Sequence, residues 1–263
     1  MREVVRMWRS TKMVVLVALC AGLYAALLIP FKSLVLIPGI TEIRPASALP
    51  VVFGLLFGPA GAWGSAIGNL IGDFFGSFGI GSAFGFVGNF MFAYVPYKIW
   101  NNLGIVEAED NEPDLKSGRK ILAFILAVIG GAFSCALIIG WGLELLGMVP
   151  FAALAAIISL NNSIPSIILG IPLLLILYPR IKKWDLLWTD IMPEEDLPET
   201  GSRQRTGAII MFVGILAGLI GGFATALGAG QELFNFTQAG EGISVALVAG
   251  LGILVTFIGS FMQ

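Results

Sequence analysis

Residues 121–142 read ILAFILAVIGGAFSCALIIGWG and hold no charged side chain. An apolar run of about 18 residues or more matches the hydrocarbon core of a bilayer and reads as a transmembrane helix. Runs of this kind are read at 13–30, 46–58, 60–77, 82–101, 120–142, 150–178, 206–228 and 243–262. Charged residues make up 12% of the chain and hydrophobic ones 57%, whereas a soluble domain carries about 25% charge. The expected fold is therefore all-α, a polytopic membrane helical bundle. The second run is short: some 13 helical residues rise only about 20 Å against a core near 30 Å. It must be tilted, buried by neighbours, or extended by the loop before it.

The basic residues orient this bundle. With the N-terminus cytoplasmic, segments 1–12, 98–120 and 179–205 hold all of the 15 lysines and arginines except Lys32 and Arg44. Cytoplasmic loops are enriched in Lys and Arg, so this asymmetry predicts a multi-pass protein of the plasma membrane with an even number of spans and both termini cytoplasmic. Arg2, Arg6, Arg9 and Lys12 ahead of an apolar run resemble a signal peptide. "ALLIPFK" is a poor cleavage site, however, so the first span is expected to be retained.

Several chemistries are excluded by composition. There is no histidine, which removes histidine proton shuttles, histidine-ligated metals and Ser-His triads. Cys20 and Cys135 both fall within spans, so no disulfide framework is expected. No Gly-Lys dipeptide occurs and hence no Walker A phosphate loop. The chain is not expected to be an enzyme, to carry a cofactor or metal, or to bind nucleic acid. Two polar stretches interrupt the apolar pattern, 102–119 and 179–205. They divide the chain into a cytoplasmic N-terminus (1–12), a six-span core (13–178), a cytoplasmic linker (179–205) and a two-span C-terminal extension (206–263). Small residues recur at four-residue spacing in the extension, whose spans hold no ionisable group.

The polar residues inside the core are the informative ones. Gly64, Gly68, Gly72 and Gly76 recur every fourth residue, giving a flat helix face that another backbone can approach. Beside them Ser65, Asn69, Asp73 and Ser77 share one stripe. Serines can bond their own backbone carbonyls. An ionised aspartate near lipid costs at least about 2.5 kcal/mol, so Asp73 either faces the bundle interior or ends its helix at the interface. Asn89 lies about 10 Å from the outer end of its helix. "SLNNSIPS" buries Asn161 and Asn162 in another span, where Pro165 deprives the Asn161 carbonyl of its partner. These amides read equally as ligand groups or as interhelical glue.

Glu42, Arg44 and Lys32 lie in the first outer loop, "IPFKSLVLIPGITEIRPASALP". Pro45 suits the first position of a helix, which places Arg44 at the helix mouth. There it would hold an anionic or carbonyl-rich ligand, pair with Asp73, or form a surface pair with Glu42. The first span offers two small-residue series, Ala18–Gly22–Ala26 and Ala21–Ala25, either of which permits close contact within the chain or with a partner. Phe74, Phe75, Phe78 and Trp63 suit stacking on a ring or contact with lipid.

At this point the pattern resembles a family. A first span rich in Ala-x-x-x-Ala, then the run "EIRPASAL…LLFGPAGA…GNLIGD", is similar to the substrate-binding S component of energy-coupling-factor (ECF) transporters, most like the queuosine-precursor type. The resemblance covers about 13–178. It implies a six-helix core that binds a small polar vitamin or nucleobase-like micronutrient near its outer face, under a first loop that closes over it. It also implies partners: an ECF transmembrane coupling subunit and two ATPase subunits. Glu42 and Arg44 would then belong to the gate, and Asn69, Asp73, Asn89 and Asn162 to the cavity. Ala21 and Ala25, or Ala18, Gly22 and Ala26, would form the docking face. The two-span tail departs from the family's six-span pattern. The competing expectation is a standalone secondary transporter with Asp73 as its ion or proton site.

Overall fold

A computed structural model describes residues 2–38, 41–42, 44–107, 110–198, 201–229 and 241–263, without the side chains of Ile37, Glu42, Ala229 and 241–243. Every apolar run named above is helical. After a short helix α1 (Arg2–Arg6), the chain forms α2 (Thr11–Leu28), α3 (Ala48–Phe57), α4 (Pro59–Asp73), α5 (Gly81–Trp100) and α6 (Gly118–Leu145). There follow α7 (Phe151–Ile168), α8 (Gly170–Lys183), a single turn α9 (Trp188–Ile191), α10 (Ser202–Ala224) and α11 (Glu241–Phe261). Among the described residues, five helical segments are long and apolar enough to cross a membrane: 11–33, 118–145, 151–168, 202–228 and 244–261. The protein is an all-α polytopic membrane protein. Its strands among the described residues are a small antiparallel ribbon, β1 (Val35–Ile37) with β2 (Thr41–Glu42), in the loop after α2.

Local chemistry sets the helix ends. Ser10 and Ser117 each accept a bond from the backbone N–H three residues on, capping α2 and α6. Between α3 and α4, Gly58 takes φ +50°, a left-handed conformation that suits glycine, and Pro59 opens the next helix without needing its missing N–H. The sixth span is two helices in line, interrupted at Leu169 rather than at Pro165.

The short second span is explained by burial. Every residue of α3 is buried, so this helix lies among its neighbours and does not have to match the lipid thickness. Around it, α2 packs on α4, α4 on α5, α5 on α6 and α6 on α7. The α2–α4 contact is the one the glycine series anticipates. A Cβ on Gly64 would lie 2.3 Å from the Cys20 Cβ, and one on Gly68 would lie 2.7 Å from the Ala21 carbonyl oxygen. Neither distance is sterically possible, so the ridge exists to seat α2.

The C-terminal pair is joined in the same way. A Cβ on Gly252 would meet the Gly218 Cα at 2.2 Å, and one on Gly259 would meet the Met211 backbone. The pair packs on the core. Trp141 Nε1 donates to the Ala246 carbonyl at 2.9 Å, and the Tyr94 and Ser260 hydroxyls are bonded at 2.6 Å.

Candidate functional site

The chain alternates direction, so the bundle has two ends. One carries α1 and the connections 101–117 and 184–201. The other carries the segments 29–47, 74–80 and 146–150. Lys32 and Arg44 are the basic residues of this second end, and a cavity of about 170 Å³ opens there. It has room for more than a single water. Polar residues converge on it from three parts of the chain: Lys32, Thr41 and Arg44 from the segment after α2; Asn69, Asp73 and Ser77 from α4 and its exit; Ser82 and Asn89 from α5. Apolar walls come from α6 and α7, among them Ile139, Leu143, Leu154 and Ile158.

These side chains form one hydrogen-bonded run. Lys32 Nζ donates to Ser77 Oγ at 2.7 Å and ion-pairs with Asp73 at 3.3 Å. Ser77 Oγ donates to Asp73 Oδ1 at 3.1 Å, and Asn69 Nδ2 to Asp73 Oδ2 at 3.2 Å. The Arg44 guanidinium donates to Asn69 Oδ1 and, more weakly at 3.5 Å, to the Tyr24 hydroxyl. Tyr24 donates to Asn89 Oδ1 at 2.8 Å, and Asn89 Nδ2 donates to the Gly85 carbonyl at 2.8 Å. The run extends from the loop after α2 through α4 and α2 into α5.

Local structure explains each position. Asp73 is the last residue of α4, where the helix dipole disfavours a negative charge. Lys32 offsets that cost. Asn69 sits one turn earlier, so one helical face aims both groups at the cavity. Arg44 precedes the turn Pro45–Ser47 that leads into α3, as the sequence suggested, and it is only 9% exposed. It is held from behind by α7. Asn161 Oδ1 accepts from the Arg44 backbone N–H at 3.1 Å, Asn162 Oδ1 accepts from Ser47 Oγ at 2.9 Å, and Ser166 Oγ donates to the Ser47 carbonyl at 2.7 Å.

Of the expected cavity residues, Arg44, Asn69, Asp73 and Asn89 come together on one cavity. Asn162 is buried but is not among its lining residues; it fixes the segment that carries Arg44. The Glu42 side chain lies outside the described residues, and so does a Glu42–Arg44 pair. Phe78 lines the mouth. Phe74 and Phe75 are exposed, and Trp63 packs against Trp8 and Phe90 in an aromatic cluster away from the cavity. Sequence reasoning did not single out Lys32, Tyr24 or Thr41 as site residues. For Lys32 the signal was present, because it shares with Arg44 the exception to the positive-inside pattern.

The first span separates its two small-residue series. Ala21 and Ala25 are buried, with Ala21 against the α4 glycine ridge. Ala18, Gly22 and Ala26 are exposed on the opposite face, and a Cβ on Gly22 would meet nothing within 4 Å. At the other end of the bundle a cavity of about 430 Å³ lies between α1 and the segment 194–204. Half of its lining is charged (Arg2, Glu3, Glu194, Glu195, Asp196 and Arg203); Glu3 is buried and Asp196 is paired with Arg6. Convergent buried polar groups over an apolar floor favour the smaller cavity as the ligand site.

A family model described as QueT transporter matches residues 14–179. That range runs from α2 into α8 and bears out the resemblance to ECF S components of the queuosine-precursor type; α10 and α11 lie outside it. No curated protein and no solved structure matches the chain.

Proposed function

The chain belongs to the QueT transporter family, and from that premise we propose that it captures a queuosine-precursor-like base outside the cell, as the binding subunit of an ECF importer. Energy comes from a separate coupling subunit and two ATPases. The observation that carries this reading is the run of hydrogen bonds from Lys32 to Asn89 around one cavity. A ring of the deazaguanine kind presents adjacent N–H donors and a carbonyl acceptor on one edge. The Asp73 carboxylate is an acceptor suited to the donors, and Arg44 or Lys32 a donor suited to the carbonyl. Ile139, Leu143, Leu154 and Ile158 give the ring faces an apolar bed. The positive-inside asymmetry supports an outward-facing cavity and cytoplasmic termini.

The docking face is the exposed series Ala18–Gly22–Ala26, because Ala21 and Ala25 are engaged inside the chain. Uptake of radiolabelled 7-deazaguanine into proteoliposomes tests the whole reading. Uptake is expected only when the chain is reconstituted with its coupling subunit, ATPases and ATP. Gly22→Leu should abolish uptake while leaving binding by the isolated chain intact. Uptake by the chain alone, without ATP, would instead make it a secondary transporter with Asp73 as its ion site.

A further inference from the structure

Tyr24 stands behind the cavity wall. It is completely buried and is not among the residues that line the cavity, yet its hydroxyl bonds two residues that are. It donates to Asn89 Oδ1 at 2.8 Å and accepts from Arg44 at 3.5 Å. Asn89 and Arg44 arrive from α5 and from the segment before α3, and the Tyr24 hydroxyl joins the two. The side chain that carries this hydroxyl is fully enclosed, and α4 comes so near that a Cβ on Gly68 would lie 2.9 Å from the Tyr24 Cβ. Glycine at 68 lets α2 come close enough for the hydroxyl to reach across to α5.

We propose that Tyr24 is a positioning residue for the cavity, fixing the Asn89 amide and the Arg44 guanidinium in the arrangement that a ligand meets. With Asn89 Nδ2 committed to the Gly85 carbonyl and Oδ1 to Tyr24, the amide has one orientation that satisfies both ends. Loss of the hydroxyl leaves the carbonyl end of Asn89 without that donor and removes one restraint on Arg44. The ring itself, and hence the packing of α2 on α4, is unchanged in Tyr24→Phe. The inference rests on the reading of the cavity as the ligand site, and its test separates the two.

The test uses the full-length chain in detergent with 7-deazaguanine as probe. Tyr24→Phe should weaken probe binding by about tenfold, the size of one ordinary hydrogen bond. In an Asn89→Ala background the same substitution should cost clearly less, about threefold or under, since the stronger of its two partners is already gone and only the weaker restraint on Arg44 is left. Equal affinity of Tyr24→Phe and wild type overturns the proposal. So does a tenfold loss in both backgrounds, which would mean direct contact with the probe. A second measurement needs no probe: backbone hydrogen exchange over residues 44–49 should be faster in Tyr24→Phe than in wild type, with α10 unchanged. If the wild type fails to bind the probe, the functional reading fails on that result, and the exchange data decide the positioning role. Unchanged exchange at 44–49 then overturns it.

Discussion

A single missing methyl decides how close α2 comes to α4. At Gly68 an added Cβ would lie 2.7 Å from the Ala21 carbonyl oxygen, a backbone atom that cannot turn aside. Gly68→Ala should therefore lower the stability of the purified protein by about 1–3 kcal/mol, read as a lower thermal midpoint in detergent. Gly22, on the opposite face of α2, is the internal control. Nothing lies within 4 Å of its Cβ position, and Gly22→Ala should leave the midpoint unchanged or raise it by up to the ~1 kcal/mol helix preference for alanine. Equal effects at the two positions would contradict the packing described. Legibility in the sequence differed among the residues of the site. Asn69 and Asp73 stand out because polar groups in an apolar run are conspicuous. Arg44 stands out because it breaks the charge asymmetry. Tyr24 does not, since a tyrosine in an apolar helix is unremarkable and its importance comes from Asn89, 65 residues away. Asn162 is conspicuous for the same reason as Asn69, but its role was not legible, because its partner Ser47 is a long-range contact that no local pattern shows.

At the scale of elements, the apolar runs made every long helix legible, because length and hydropathy are properties of the segment alone. The β1–β2 ribbon was not legible. Two strands of three and two residues carry too little alternation to announce themselves, and their pairing is set by what the loop packs against. The attachment of α1 is another result of tertiary contact. Glu3 and Lys98, both almost fully buried, pair at 2.9 Å, and Tyr97 donates to the same carboxylate at 3.3 Å. Burial is the largest single influence and alone would raise the Glu3 carboxyl, but the charge and hydrogen bond of Lys98, joined by smaller favourable contributions, together hold the group below its ordinary 4.5. A carboxyl depressed in the folded state stabilises the fold above its unfolded pKa, and that contribution is lost as pH falls through the folded value. Glu3→Gln leaves a buried ammonium without its counter-charge and should cost about 3 kcal/mol at pH 7. The difference in thermal midpoint between wild type and Glu3→Gln should shrink as the pH is taken below 4.5. A difference independent of pH would show that the pair does not hold α1.

At the scale of the molecule, the two ends do different work. The end with α1 is tied by ion pairs and by the Lys98 bond to the Gln263 carbonyl at 3.3 Å, which fastens α5 to the residues that follow α11. The other end gathers the polar run around a cavity. The C-terminal pair α10–α11 packs mainly on α6, with α10 also touching α7 and α5, and the α2 face that carries Ala18, Gly22 and Ala26 stays exposed. The extension therefore adds to the six-span core without covering the face proposed for docking. Native mass spectrometry of the protein purified from cells, comparing wild type with Arg44→Ala, tests the central claim most directly. The account predicts a single bound small molecule on the wild type, with occupancy at least about tenfold lower in Arg44→Ala, as expected from loss of a charged hydrogen bond. Equal retention by both proteins, or no bound molecule on the wild type, would contradict it.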